Sequence, residues 1–197
     1  MILINLLDKL LPLVGVLIGG IIGLASPWVS HRLEIKKRKR SLKYDLVNNV
    51  YVLYNLLKLE VGLQNQLRFI TKRLDLANEK KIIHYQNDLI EYNELNKSLD
   101  NNFMKMTEIE SKLIALNAEV GDYYSAKINN ALSELLSKPL SDSNNSARII
   151  IDFDSITDEE YVKNSTKILN EYNSKMSAIF QSDCDLLINK IKILFNQ

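Results

Sequence analysis

The sequence predicts an all-α protein: a single N-terminal transmembrane helix followed by an elongated cytoplasmic helical bundle or coiled-coil hairpin. Three observations predict it. The run from Leu10 to Ser30 carries no charged side chain over 21 residues. Beyond it, apolar side chains recur at steps of three and four, the spacing that puts them on one face of a helix. Helix breakers are also scarce there: Gly62, Gly121 and Pro139 are the only glycines after Gly23 and the only proline after Pro27.

The N-terminal element is the expected membrane span. A helix needs about 20 apolar residues to cross a hydrocarbon core of roughly 30 Å, and 11 of the 21 positions are Leu, Ile or Val. Pro12 falls near the start of the run, where a missing N–H costs a helix little. Pro27 and Trp28 fall near its far end, and an indole suits the lipid–water interface. A cleaved secretory signal fits less well. The basic segment that precedes such signals is missing, and a charge cluster of stop-transfer type follows the run. A helix lying on the bilayer surface would need a charged face within the run.

The flanks give the direction. Lys9 is the single basic side chain before the run, and seven follow it within 15 residues: Arg32, Lys36, Lys37, Arg38, Lys39, Arg40 and Lys43. Basic flanks stay cytoplasmic. Residues 1–9 are therefore expected outside as a short extracytoplasmic N-terminus, with 10–30 as the span and 31–43 as a basic juxtamembrane segment on the cytoplasmic face of the cell membrane. Arg32, Lys36, Lys37, Arg38, Lys39 and Arg40 are the expected contacts to anionic lipid head groups, at roughly 1 kcal/mol for each side chain near the surface. Within the span Gly15, Gly19 and Gly23 recur every fourth residue. They clear one helix face of side chains, so two backbones can approach there, and they are the expected transmembrane helix contact.

Residues 44–136 are expected to form a long helical hairpin or coiled coil. Its first arm carries a stripe of Leu42, Leu46, Leu53, Leu56, Leu63, Leu67, Ile70 and Leu74. Asn49 and Glu60 interrupt this stripe, and Val50, Leu57 and Leu59 widen it. A soft turn is expected near Asn78. The second arm offers two registers, Tyr85-Tyr92-Leu99-Met106-Leu113-Val120 and Ile82-Leu89-Asn96-Phe103-Glu110-Asn117-Tyr124. Asp100-Asn101-Asn102 and Gly121-Asp122 are its weak points, so it reads equally well as one helix or two. Residues 137–156 are expected as a loop, opened by Pro139, with the RIIIDF stretch at 148–153 extended on the helices. Residues 157–197 form the C-terminal helix. Thr157 and Glu160 have capping-box spacing, with Ile156 and Tyr161 as the hydrophobic staple. Val162, Leu169, Tyr172, Met176, Ile179, Leu186 and Leu194 supply its apolar face.

Charge bounds the partners. The net charge is +1, but residues 1–45 hold eight Lys or Arg against three Asp or Glu, and the remainder is net acidic. The basic part adjoins the span and the distal part is mildly acidic, a poor surface for nucleic acid. Cys184 is the sole cysteine, which excludes an internal disulfide and fits a reducing compartment. His84, Asp88 and Glu91 have the spacing to share a helix face, and the simpler reading is a solvated face. No phosphate loop, dinucleotide fingerprint, nucleophile elbow or HExxH is present. The expectation is no enzyme, no cofactor and no metal.

These features fit a membrane-anchored helical interaction or scaffold protein that holds partners or its own copies at the cytoplasmic face. The expected partners are a bilayer with anionic head groups and either further copies of this chain or a cytoplasmic protein. The alternative is a membrane-acting effector or regulator of toxin or host-defence type, oligomerising through the glycine-faced span.

Overall fold

A computed structural model describes residues 2–80, 85–142, 151 and 157–196. Within them, side chains are described except at 2–14, 17, 18, 21, 22, 24, 77–80, 85, 140–142, 159 and 162. The described elements are helices: α1 (Ile2–Lys80), α2 (Tyr85–Tyr123), α3 (Ala126–Asp142) and α4 (Asp158–Leu194). The chain divides into two compact units, residues 1–42 and 43–197. The first is helical along its described length. Among the described residues no helix is long and apolar enough to cross a membrane. Most apolar side chains of the expected span 10–30 lie outside the described ones.

The second unit is an up-down-up-down bundle. Each neighbouring pair of helices runs antiparallel, as side chains that bridge them show. Asn102 Nδ2 on α2 donates to the Leu56 carbonyl of α1 at 3.1 Å. Asn117 Nδ2 on α2 donates to Ser133 Oγ on α3 at 2.8 Å. Lys138 on α3 lies 3.8 Å from the Asp183 carboxylate on α4. Between α4 and α1, Asn65 Nδ2 donates to Asn173 Oδ1 at 3.3 Å, and Lys43 Nζ donates to Asn196 Oδ1 at 2.7 Å.

The main core takes one face from each helix. Leu46, Val50, Leu53, Tyr54, Leu57 and Val61 of α1 meet Met106, Leu113 and Val120 of α2, Leu132 and Leu136 of α3, and Phe180, Cys184, Leu187, Ile188 and Ile191 of α4. On α2 the deeply buried positions confirm one expected register, Met106-Leu113-Val120. The companion register is corrected. Asn102, Ile109 and Leu116 lie toward the core, three residues to the other side, and Phe103 is 64% exposed. On α1 the stripe is centred on Val50, Leu57 and Val61, so Leu63, Leu67 and Leu74 are half-buried and Leu59 is exposed. Its buried positions step mostly by four, a longer period than a heptad's. The expected heptad therefore drifts off the packed face.

Helix ends follow local chemistry. α1 stays helical two residues past Asn78, to Lys80, and α2 begins at Tyr85. The second arm is two helices. It breaks at Tyr124-Ser125, just past the weak point Gly121-Asp122, and Ser125 O receives the first N–H groups of α3, from Ile128 and Asn129. Gly121 has a packing role here. A Cβ there would lie 3.1 Å from Asn129 Nδ2, so the missing side chain lets α2 and α3 approach closely. Asp100-Asn101-Asn102 does not break α2, because Asn102 is buried and spends its amide on α1. Pro139 does not end α3, which continues to Asp142, so the expected loop 137–156 starts later. Thr157 caps α4 as expected, accepting from Glu160 N at 3.3 Å. Ile156 of the staple and most of RIIIDF lie outside the described residues.

A second, smaller cluster near the other end joins Leu76, Ile151, Tyr161 and Leu169, with Phe69 and Tyr172 against it. Ile151 is buried and outside any helix. Its N–H donates to Asn65 Oδ1 at 2.9 Å. Asn65 is fully buried and uses both ends of its amide, one to fasten Ile151 and one to reach α4. Asn65→Leu removes that acceptor and leaves a buried N–H unpaired, a cost of about 1–3 kcal/mol. Thermal unfolding of the full chain in detergent should show the loss, and an unchanged midpoint would mean that Ile151 is not held there. Tyr161 is likewise satisfied, its hydroxyl donating to the Phe69 carbonyl at 2.6 Å. Burial pushes that hydroxyl up to about 12.

Candidate functional site

The residues expected to carry function all fall in the first unit. There Gly15, Gly19 and Gly23 are exposed, and a Cβ built on any of them meets nothing within 4 Å. Among the described residues no contact within the chain requires glycine at these positions. Of the expected head-group contacts, Arg32, Lys36, Lys37 and Arg40 are exposed, while Arg38 and Lys39 are half-buried. The Arg32 guanidinium lies 3.8 Å from the centre of the Trp28 ring. Trp28, Val29 and Leu33 are exposed beside these cations, so this stretch of α1 alternates apolar and basic surface.

The second unit carries a groove of about 530 Å³ between α3 and α4. Ala131, Leu135, Pro139, Leu186, Ile193 and Leu194 line it, with Glu134, Lys138, Asp183 and Lys190 also on its walls. Its shape follows from α3. Leu132 and Leu136 turn into the core while Leu135 and Pro139 face the groove. From its rim an apolar line runs along the outer side of α4. Ile179, Leu186 and Ile193 recur every seventh residue and are 49%, 55% and 61% exposed. Ile179 and Leu186, expected on one apolar face with Leu169 and Met176, lie instead on this outer line. The packed face of α4 is carried by Phe180, Cys184, Leu187, Ile188 and Ile191. Their spacing of four, three, one and three is as helical as the expected one. The choice between the two lines is made by the partner helices, which α4 alone does not encode.

The polar constellation at His84, Asp88 and Glu91 resolves differently from the solvated face expected. His84 lies outside the described residues. Asp88 is buried and takes a two-pronged contact from Arg73 of α1, with Nε donating to Oδ2 at 2.9 Å. Arg73 Nη2 also donates to Glu91 at 3.0 Å. Burial opposes the Arg73 charge, but the hydrogen bonds and charges of Asp88 and Glu91 outweigh it and raise its pKa. These carboxylates clasp α1 to α2. Among the described residues no cluster has the make-up of a metal site.

Cys184 is buried in the main core, where burial first and the Asp185 charge second push its thiol up to about 11. That holds it as a protonated thiol at neutral pH, a weak nucleophile. Glu60 is half-buried and its carboxyl is raised by burial and then by Glu110. It receives Gln64 Nε2 at 3.1 Å. The arrangement as a whole offers surfaces for contact: an open glycine face, a basic and apolar helix stretch, and a groove that continues into an apolar line. Comparisons of the chain with protein-family models, with curated proteins and with solved structures return no match.

Proposed function

We propose that this chain is a membrane-anchored helical interaction protein, held by residues 10–30, with its bundle at the cytoplasmic face and further copies or a cytoplasmic protein as partner. The observation that carries it is the 21-residue uncharged run followed by seven basic side chains. Such a run is stable in lipid because its helix satisfies its own backbone groups. The cations after it favour an anionic surface. The apolar line on α4 and the adjoining groove support an interaction role, since exposed apolar patches mark contact surfaces.

Alkaline washing of membranes, followed by crosslinking and mass spectrometry with the anchor retained, tests this reading. The chain should stay with the bilayer and yield reproducible crosslinks to a partner or to itself. Release into the wash would refute anchoring, and monomer alone would refute the interaction role.

A second reading, the oligomerising membrane effector, is favoured by the uncommitted glycine face. We expect Gly19→Ile to abolish self-association of residues 8–32 in a membrane reporter, because a branched side chain would separate the backbones. Leu17→Ile, about 160° round the helix from Gly15 and Gly19, should leave the signal unchanged. Equal signals from wild type and both variants would remove the basis for an oligomer in the membrane.

A further inference from the structure

We propose that α4 is a self-recognition surface at which two copies of this chain pair antiparallel about Leu186. The proposal deepens the interaction reading above by committing to the partner, and it does not depend on the anchor. Ile179, Leu186 and Ile193 form a straight apolar line on the outer side of α4, with successive members about 10.5 Å apart along the axis. The line faces away from the core residues Cys184, Ile188 and Ile191 of the same helix. Half-exposed Leu and Ile side chains in such a row gain from burial against a matching row.

The charges beside the line choose the direction. Asp183 and Lys190 flank Leu186 three residues before it and four after, on the same side, toward the groove. Ser182 and Asn189 flank it on the other side. When two copies of α4 cross a two-fold axis next to Leu186 and run antiparallel, equal sides meet at mirrored levels. Asp183 then stands opposite Lys190 of the second copy, twice over, and Ile179 stands opposite Ile193. In a parallel pair the groove side of one helix meets the far side of the other. Asp183 and Lys190 would then face Ser182 and Asn189, with no opposite charge to meet. Lys138 holds Asp183 only at 3.8 Å, leaving its carboxylate within reach of a second cation. The surface is self-complementary, which an isologous two-fold interface requires.

Site-directed disulfide crosslinking of the full chain tests the pairing, in membranes and again in detergent, where neither copy is constrained by its anchor. With Cys184→Ala as background, Leu186→Cys should crosslink to itself. Ile193→Cys should not, because antiparallel pairing separates the two copies of that position by about 20 Å. Mixing a tagged Ile179→Cys chain with an Ile193→Cys chain should give a heterologous crosslink. Starting from Leu186→Cys, Asp183→Lys alone should cut the yield several-fold by setting two cations opposite each other, and Asp183→Lys with Lys190→Asp should restore it. Equal self-crosslinking at 179, 186 and 193 would mean parallel pairing and overturn the proposal. So would absence of the 186 crosslink in a chain whose circular dichroism and thermal midpoint match the parent. Loss of the chain from washed membranes with the crosslinks intact would refute the anchor alone.

Discussion

A protease added outside intact cells should leave a tag fused after Gln197 uncut, and the tag should become cleavable only when the membrane is opened. The expectation rests on the distribution of seven basic side chains after the uncharged run against one before it. Lys and Arg near a span resist translocation, so the flank with seven of them is the harder one to export. Replacing Arg32, Lys36, Lys37, Arg38, Lys39 and Arg40 together by Gln leaves one basic side chain on each flank, Lys9 and Lys43. The bias is then gone, and a substantial fraction of chains should expose the tag. The same change should also weaken attachment to an anionic surface, since each of the six is expected to contribute about 1 kcal/mol there. Cleavage of the wild-type tag with lipid intact would overturn the orientation. Unchanged protection in the sixfold variant would show that the cations do not set it.

Leu57→Ala should destabilise the bundle by about 2–5 kcal/mol, while Leu59→Ala, two residues away, should change stability by no more than about 0.5 kcal/mol. Leu57 is 1% exposed and belongs to the main core; Leu59 is 50% exposed. Truncating Leu57 removes apolar contacts and leaves a cavity that the four surrounding helices fill only in part. For a chain of this size each kcal/mol moves the thermal midpoint by roughly 2–4 °C. Chemical or thermal melts of both variants in the same detergent decide the matter. Equal midpoints for the two would mean that α1 packs in the register centred on Leu56 and Leu63 instead.

That register shows how far the sequence reaches. The helical class is legible because apolar steps of three and four persist through long stretches with few Gly or Pro. Which of two adjacent stripes is buried is much less legible. On α1 both Leu56-Leu63 and Val50-Leu57 are apolar, and on α2 both Phe103 and Ile109 lie one step from Met106. The helix itself supports either choice. The other helices select one, through contacts such as Asn102 to the Leu56 carbonyl that join residues far apart in sequence. Asn65 was missed for a related reason. An Asn between Gln64 and Gln66 reads as a polar edge rather than a buried clasp, and only the approach of Ile151 and Asn173 shows otherwise. Pro139 misled because α3 runs on through it to Asp142, although its missing N–H and its ring cost that turn a hydrogen bond. Thr157 was legible because a cap is a local motif, complete within four residues.

Asn196 lies beside Lys43, joined by a 2.7 Å hydrogen bond, because α4 runs back along α1. This has a mechanical consequence. A load applied between the chain at Lys43 and an attachment at Asn196 would pull both at the same end of the bundle. Such a load peels α4 from α1 one contact at a time, starting with Lys43–Asn196. The contacts therefore yield in sequence and resist little force. A load taken between Lys43 on α1 and the far end of α4, near Tyr161, instead drags the two helices along their lengths and strains many contacts together. An attachment meant to withstand tension applied at Lys43 would belong at that opposite end. One at Asn196 would act as an easily opened clasp.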